Sequence, residues 1–416
     1  MNVLLVVIDS LRKKSVTPSN APFLTRLAAS GRSYTQAFSS DCWTLPSHVS
    51  MFTGLTSLEH GAGFPNMNYR GGTPTIATRL RDRGFATACI TRNPVFDGSI
   101  LGIMDGFTVR QRPIAPGSPW ATIPFMLAKP RVQRHLAEAG HLTPWQKNSR
   151  EFLGDLLRLA TPSDELALDR ALVHLRRFRR SRQDHFVFLN LYDVHLPYPP
   201  TPTAPHYPLT TLHGIREYLT TFPLLMSIIR HDHTREGFAA SPAARDALRD
   251  RYHRAIRCLD AKLDAFFTTA DGEGLLDDTA VIVTSDHGEA FGEHGLFGHD
   301  TSVWNTHLHV PLIARIPGQT RGTDLAPIST RQLADMIARL AGGDYPERAR
   351  LPVVAHHRYH RGITGMKPEL RRDLEARWLP GGMKVIDDGT TARYFATRDD
   401  PSELRPTQVQ QSWRKW

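Results

Sequence analysis

Short apolar runs alternate with amphipathic segments along most of the chain. Strand-like apolar runs occur at residues 3–8, 86–91, 185–193, 281–285 and 310–316. Segments with apolar residues at helical spacing occur at 22–31, 75–84, 243–267 and 331–340. Gly31 and Gly84 close the first two of these segments, as is typical of helix C-termini. The alternation predicts an α/β fold with a mostly parallel central sheet flanked by helices.

The pattern changes in the last part of the chain. Residues 384–386 and 393–396 are short strand-like runs, and Asp387, Asp388 and Gly389 between them predict a β-hairpin. We therefore expect a small antiparallel α+β subdomain at the C-terminus. The predicted organisation is an α/β catalytic domain at 1–345, a substrate-specificity insertion within it at 110–240, and the small subdomain at 346–416.

Composition limits the class of protein. The chain has 416 residues and 40% hydrophobic content, which is enough for a large globular core. Cys42, Cys89 and Cys258 have no C-x-x-C spacing, so no disulfide framework or structural zinc finger is implied. The first apolar run covers only residues 3–8 and has no basic segment before it. We therefore expect no signal peptide, no membrane span and a cytoplasmic location.

The chain is strongly basic, with a formal net charge of +10. Arginines in helical stretches, such as those at 176–180, supply much of this charge, and we interpret them as a solvated helix face. Nucleic acid, a membrane surface or an anionic substrate would each fit this charge balance. We expect a small anionic ester substrate as the partner, infer no specific nucleic-acid partner and leave the oligomeric state open.

Ionisable side chains follow two of the predicted strands directly. Asp9 ends the first run, and Asp286 and His287 end the run that begins at residue 281. Because α/β enzymes bind ligands at the carboxyl ends of their strands, these side chains are predicted to share a site. Carboxylate with imidazole suits Zn²⁺ or Mn²⁺, with Ca²⁺ or Mg²⁺ as alternatives that prefer oxygen ligands. Taken singly, Asp9 and the pair of Asp286 and His287 are each also typical of a turn or a helix cap.

The amino-acid sequence resembles the sulfatase-like branch of the alkaline-phosphatase superfamily over nearly its whole length. The matching segments are 2–11, 22–24 with 27–28 and Gly31, 45–47 with 53–54, 195–198, 285–289, 292–299, 310–313 and 399–404. Jointly these motifs are specific for the fold and less specific for the substrate. The resemblance implies a metal-dependent enzyme that hydrolyses ester bonds.

The resemblance also implies a metal site and its neighbours. The implied metal ligands are Asp9, Thr44, Asp286 and His287. His195 and His299 would contact the substrate, where an imidazole can stabilise the transferred group or protonate the leaving oxygen. Many relatives have a second acidic residue where this chain has Ser10, so we expect one ion rather than two. The alternative is a second ion held by Asp193, His195 and His299.

The nucleophile position departs from the sulfatase pattern. Formylglycine-dependent sulfatases have Cys or Ser at the head of C-x-P-x-R, but here Thr44 heads the motif and His48 replaces the Arg. Cys42 lies two positions too early. Threonine carries a methyl group on Cβ, so its oxidation gives a ketone and not the aldehyde. We therefore expect Thr44 to lie at a helix N-terminus, attack phosphorus directly and form a phospho-threonine intermediate.

Two further residues are candidates for substrate binding. His48 is expected to touch the anion, and a helix-surface position is its alternative. Asn93 follows the run at 86–91 and is expected to donate to a substrate oxygen, with a simple turn before Pro94 as the alternative.

These observations predict a metal-dependent hydrolase of phosphate or phosphonate esters, of the phosphodiesterase or phosphatase type. The alternatives among enzymes are a sulfatase that works without formylglycine and a phosphoryl transferase. The alternative from another class is a catalytically silent relative that binds an anionic ligand. The intact set of implied ligands argues against this last interpretation.

Overall fold

The computed structural model describes residues 1–63, 69, 71–96, 102–111, 164–196, 198, 220–221, 223–225, 227–228, 231–342, 352–359 and 366–412. Most of the predicted insertion at 110–240 and the predicted domain boundary after residue 345 lie outside the described residues. In the part that is described, no helix combines the length and the apolar character needed to cross a membrane.

The central sheet is mostly parallel, as predicted, and the described residues contribute eight strands to it. The strands in the described part of the chain are β1 (Asn2–Ile8), β2 (Arg32–Tyr34), β3 (Ala37–Phe38), β4 (Ala86–Thr91), β5 (Val109–Gln111), β6 (His185–Leu191), β7 (Thr279–Thr284), β8 (Ala290–Phe291), β9 (Phe297–Gly298), β10 (Leu312–Arg315), β11 (Gly322–Asp324), β12 (Ile328–Ser329), β13 (Val353–His357), β14 (Leu374–Leu379), β15 (Met383–Asp387), β16 (Thr391–Ala396) and β17 (Gln408–Gln411). The order in the central sheet is β11-β2-β10-β7-β1-β6-β4-β5. Within it, β10 alone runs antiparallel to both of its neighbours.

Helices cover both faces of this sheet. They are α1 (Pro22–Ser30), α2 (Thr44–Thr53), α3 (Ser57–His60), α4 (Ile76–Arg81), α5 (Glu165–Ser181), α6 (Pro242–Gly272), α7 (Asn305–Leu308) and α8 (Leu333–Gly342). The helix predicted at 243–267 is longer than expected. It begins at Pro242, where the Ser241 side chain accepts a hydrogen bond from the Ala244 N–H, and it continues to Gly272.

Strand β1 lies at the centre of the molecule because both of its faces are apolar. Alternate residues enter two hydrophobic cores, one with Val3, Leu5 and Val7 and the other with Leu4, Val6 and Ile8. Helices α2, α4 and α8 cover the first core, and α1, α5 and α6 cover the second. A strand that is buried on both sides has no polar position along its length, so the first polar side chain appears where the strand ends.

The C-terminal residues form a separate five-stranded antiparallel sheet with the order β13-β14-β15-β16-β17. Strands β15 and β16 are the predicted hairpin, and Gly389 adopts a φ of 82° in its turn. The sheet packs on the segment before α2. Trp378 stacks on Phe38 with ring centroids 4.0 Å apart, and the His356 N–H donates to the Ser40 carbonyl at 3.0 Å.

A buried ion pair also attaches this sheet to the α/β body. Lys384 Nζ lies 2.6 Å from Glu403 Oε1, and both side chains are at most 1% exposed. Lys384 also donates to the Val303 carbonyl at 2.7 Å, and Glu403 Oε2 accepts from the Asn305 N–H at 2.6 Å. The pair therefore holds β15 against the segment that leads into α7.

Replacing Lys384 with Met should lower the free energy of unfolding by about 3–5 kcal/mol, because Glu403 would remain buried without its counter-charge. Urea unfolding measures the effect. The matched control is Arg339→Met, which removes an exposed helical ion pair with Asp335 and should cost at most about 0.5 kcal/mol. Equal losses in the two variants would contradict the role assigned to the buried pair.

Candidate active site

Asp9 and Asp286 meet because they follow adjacent parallel strands in the same register. Val7 of β1 pairs with Thr284 of β7, so each carboxylate lies two residues beyond a paired position. His287 completes the group, with its Nε2 3.7 Å from Asp9 Oδ1 and 3.5 Å from Asp286 Oδ2. All three side chains are completely buried. The fold thus brings together three of the four implied ligands at the carboxyl edge of the sheet.

Ser10 holds the two carboxylates in place. Its backbone N–H donates to Asp286 Oδ1 at 3.2 Å, and its hydroxyl donates to Asp9 Oδ1 at 3.0 Å. Its φ is 64°, in the left-handed region that residues other than glycine seldom adopt. The residue that replaces the second acid of many relatives therefore orients two of the implied ligands.

Helix α2 begins at Thr44, as predicted, and the hydroxyl of this residue lies within the cluster. Thr44 Oγ1 is 3.3 Å from His287 Nε2. The N-cap residue Trp43 makes no side-chain hydrogen bond to the first turn in the described structure. The N–H groups at the start of α2, with the positive end of the helix dipole, are therefore suited to bind an anion.

The contacts of His287 determine its tautomer. Its Nδ1 lies 2.9 Å from the Gly288 carbonyl oxygen, which can only accept, so Nδ1 carries the proton. Nε2 then presents a lone pair to the carboxylates and to the Thr44 hydroxyl. Burial, with the charge of His299 as the second cause, lowers the pKa of His287 well below its ordinary value. The ring is therefore neutral at neutral pH, the form in which an imidazole nitrogen can bind a metal ion.

The donor set fits a divalent cation. Burial, reinforced by the Asp286 carboxylate, raises the pKa of Asp9 well above its ordinary value. Asp286 Oδ2 is fully buried and has no hydrogen-bond partner among the described residues. One donor atom from each of Asp9, Asp286 and His287 lies within 4.8 Å of the other two. A cation between these groups would reduce the repulsion between the two carboxylates and would give the unsatisfied oxygen of Asp286 a partner. The set of one nitrogen and several oxygen donors suits Zn²⁺ or Mn²⁺.

His48 lies inside the protein, packed against phenylalanine rings, and is 0% exposed. The alternative of a helix-surface position is therefore wrong, because this face of α2 is turned toward the central sheet. His48 Nδ1 lies 2.8 Å from the Thr44 carbonyl oxygen and 3.6 Å from Asp286 Oδ2. These contacts connect the first turn of α2 to one of the implied ligands.

Asn93 lies next to Asp9. Its Nδ2 donates to Asp9 Oδ2 at 2.7 Å, and its Oδ1 accepts from the Val95 N–H at 2.9 Å. The side chain is buried, and both ends of its amide are used within the protein. This arrangement favours a role in orienting Asp9 over the predicted contact with a substrate oxygen.

His195 and His299 lie together beside His287. The ring centroids of His195 and His299 are 5.0 Å apart, and His299 stacks on His287 with centroids 4.3 Å apart. His195 Nδ1 lies 2.6 Å from the Leu196 carbonyl oxygen, which fixes the orientation of its ring. The two histidines implied to contact substrate therefore adjoin the cluster of implied ligands.

Glu289 is a buried residue to which the sequence patterns assigned no role. Its Oε1 lies 3.2 Å from His299 Nδ1. Burial lowers the pKa of His299, but the carboxylates of Glu289, Asp300 and Asp9, with Glu289 the largest contributor among them, together outweigh this effect and the pKa rises to about 9. His299 is therefore cationic at neutral pH. The available signal was the position of Glu289 in the segment 285–289, at the end of β7.

Asp193 does not join these histidines. Its carboxylate accepts from Arg92 Nη1 at 3.1 Å and from Lys262 Nζ at 2.8 Å. Two cationic side chains already balance it, and it also accepts from the Asp164 N–H. The alternative ligand set of Asp193, His195 and His299 for a second ion is therefore wrong.

Comparison with known proteins identifies the family of the chain. The sequence model of the Sulfatase family matches residues 1–343. The chain is 26% identical over 413 residues to the multifunctional alkaline phosphatase superfamily protein PehA of Trinickia caryophylli, covering 85% of this chain and 77% of that protein. It is 24% identical over 439 residues to iduronate 2-sulfatase of Homo sapiens, covering 93% and 77%.

Solved structures with the same fold include the phosphonate monoester hydrolase SpPMH from Silicibacter pomeroyi. It has a TM-score of 0.66 and 19% identity, and the match covers 95% of this chain and 88% of that one. BT4656, solved with its substrate D-glucosamine-2-N,6-O-disulfate, has a TM-score of 0.67 and 14% identity, covering 97% and 92%. These likenesses show the fold. The family match over residues 1–343, with the two curated relatives, shows that the chain belongs to the Sulfatase family, within the alkaline-phosphatase superfamily, and is an ester-hydrolysing enzyme.

Proposed function

We propose that this enzyme hydrolyses phosphate or phosphonate esters with Thr44 as the nucleophile and one divalent cation at the four implied ligands. The observation that carries the proposal is the position of the Thr44 hydroxyl, at the start of α2 and 3.3 Å from His287 Nε2. A bound Zn²⁺ or Mn²⁺ would lower the pKa of that hydroxyl and neutralise charge on the phosphoryl oxygens. One ion is favoured because Asp193 is held by Arg92 and Lys262.

The side chains around Thr44 suit in-line displacement at phosphorus. In the proposed sequence, the Thr44 hydroxyl loses its proton to solvent, Oγ1 bonds to phosphorus as the bond to the ester oxygen breaks, the leaving oxygen takes up a proton, and water then hydrolyses the phospho-threonine. The N–H groups at the start of α2 bind the transferred anion. His299 is protonated at neutral pH and uses Nδ1 toward Glu289, so its Nε2–H is the proton donor that we assign to the leaving oxygen.

The residues Thr44 and His48 favour hydrolysis of phosphate or phosphonate esters over hydrolysis of sulfate esters. The methyl group on Thr44 prevents formation of the aldehyde on which formylglycine chemistry depends, and a buried histidine stands where the sulfatase motif has arginine. The similar proteins do not distinguish phosphorus-ester from sulfate-ester hydrolysis, because they include phosphonate monoester hydrolases as well as sulfatases. The choice therefore rests on the residues of this chain.

Aryl esters that share one leaving group test this choice directly. With Zn²⁺ or Mn²⁺ supplied, we expect kcat/KM for an aryl phosphonate monoester or an aryl phosphate ester to exceed that for the aryl sulfate by at least about tenfold, or about 1.4 kcal/mol in transition-state stabilisation. Initial rates of phenolate release measure all substrates in the same way. A higher kcat/KM for the sulfate would overturn the proposal and support a sulfatase that works without formylglycine.

A further inference from the structure

A second group of potential metal ligands lies outside the active site. Asp41 and Cys42 belong to the segment between β3 and α2, and His357 is the last residue of β13. All three side chains are at most 3% exposed. Cys42 and His357 are 315 residues apart in the sequence, so only the packing of the C-terminal sheet on this segment brings them together.

The distance between the cysteine sulfur and the histidine nitrogen suits a shared tetrahedral ion. Cys42 Sγ lies 3.4 Å from His357 Nδ1, and donor atoms of all three residues lie within 4.8 Å of one another. A tetrahedral Zn²⁺ has bonds of about 2.3 Å to sulfur and about 2.0 Å to nitrogen, which place those two ligands about 3.5 Å apart. The sulfur and nitrogen atoms thus already have the separation that a shared ion requires.

The electrostatics of the group also favour a cation. Burial raises the pKa of the Asp41 carboxyl to about 7. The Cys42 N–H donates to Asp41 Oδ1 at 2.7 Å, which holds the carboxylate beside the cysteine. Two acidic groups in one buried place repel each other when ionised, and a divalent cation between them removes that repulsion.

We propose that Asp41, Cys42 and His357 form a second metal site, distinct from the active site, that binds Zn²⁺. Thiolate and imidazole ligands select Zn²⁺ over Mg²⁺, Ca²⁺ and Mn²⁺. On binding, a zinc–sulfur bond forms, and the thiol proton of Cys42 passes to solvent. Three protein ligands leave one tetrahedral position for water.

The site would fix the segment that leads to the nucleophile. The His356 N–H already donates to the Ser40 carbonyl at 3.0 Å, and the Ser47 hydroxyl of α2 donates to the Asp41 carbonyl at 3.0 Å. An ion shared by Cys42 and His357 would add a strong bond between β13 and the start of α2. The inference is independent of the reaction proposed for Thr44, because none of its three ligands belongs to the active site.

Cobalt substitution tests the site in the full-length protein. Titration of the metal-free protein with Co²⁺ should produce the near-ultraviolet charge-transfer absorption of a thiolate–cobalt bond, since the site contains a cysteine and the active site does not. Cys42→Ser should abolish this absorption. Cys258→Ser, which changes a half-buried cysteine on α6, and Asp286→Asn should both retain it.

The cobalt titration of the wild-type protein can contradict the proposal without any variant. The test therefore remains decisive even if Cys42→Ser fails to fold. Absence of the thiolate–cobalt absorption in the wild type, or its persistence in a folded Cys42→Ser variant, would contradict the site. Zinc gives a second readout: it should raise the melting temperature of Asp286→Asn, whose active site is impaired, but not that of the Asp286→Asn and His357→Gln double variant. Equal shifts in the two would also contradict it.

Discussion

Replacing Thr44 with Ala is expected to reduce kcat by at least about a thousandfold, because the variant has no hydroxyl to attack phosphorus. The fold should be unaffected, since the described contact of Thr44 Oγ1 is with His287 alone and the loss of one such bond costs about 1 kcal/mol. Steady-state kinetics with an aryl phosphorus ester measures the rate, and circular dichroism with a melting curve measures the fold.

Two variants act as controls for this result. Thr44→Ser keeps a hydroxyl in place and should restore most of the lost activity. Thr53→Ala makes the same change at the last residue of α2, where the hydroxyl donates to the Val49 carbonyl, and should leave kcat within about twofold. Mass spectrometry of a rapidly acid-quenched reaction should find a phosphoryl group on the peptide that contains Thr44. Substantial turnover in a folded Thr44→Ala variant would remove Thr44 from the nucleophile position.

Replacing Asp286 with Asn is expected to weaken binding of the catalytic cation by at least about a hundredfold and to abolish turnover at limiting metal. Asn has nearly the same shape, so the hydrogen bonds from the Ser10 and His287 N–H groups to Oδ1 can remain. The negative charge on Oδ2, which has no hydrogen-bond partner among the described residues, is lost. Activity titrated with Mn²⁺ or Zn²⁺ measures the apparent affinity.

The same variant should be at least as stable as the wild type when both are metal-free. Burial is the main cause of the raised pKa of Asp9, and the charge of the Asp286 carboxylate is the second cause. Removing the charge of Asp286 therefore reduces the repulsion between two buried carboxyl groups. The matched control is Asp260→Asn, a buried carboxylate that accepts from the N–H groups of Phe23 and Leu24. It should lower the melting temperature and leave metal affinity unchanged. A metal affinity unaffected by Asp286→Asn would contradict the proposed ligand set.

Much of the fold could be predicted because its strands are buried on both faces. Such strands must be apolar throughout, so β1, β4, β6 and β7 are visible as continuous runs, and Asp9 and Asp286 mark where two of them end. The amino-acid sequence did not indicate that β10 runs antiparallel to its neighbours. Its residues are as apolar as those of the parallel strands, and direction depends on the path of the connecting chain rather than on composition.

The roles of individual site residues were harder to predict, because side-chain contacts depend on where distant segments meet. The hydrogen bond from Asn93 to Asp9 was not foreseen, and the predicted contact of Asn93 with a substrate oxygen stays a prediction. His48 was given a helix-surface alternative, which is wrong because the side chain is buried. Ser10 was noted only as the replacement for an acidic residue, whereas its left-handed backbone directs its N–H to Asp286.

The family, the mostly parallel sheet and the place of Thr44 at the start of a helix could all be inferred from the amino-acid sequence, since each depends on local patterns and on motifs with fixed spacing. The contacts between distant side chains became known from the three-dimensional structure. Glu289 lies beside His299 and makes the largest contribution among the carboxylates that keep its imidazole cationic, and His357 contacts Cys42 across 315 residues of sequence. Such contacts depend on how sheets and helices pack, and the free energy of that packing is distributed over the whole core and not encoded in any short segment.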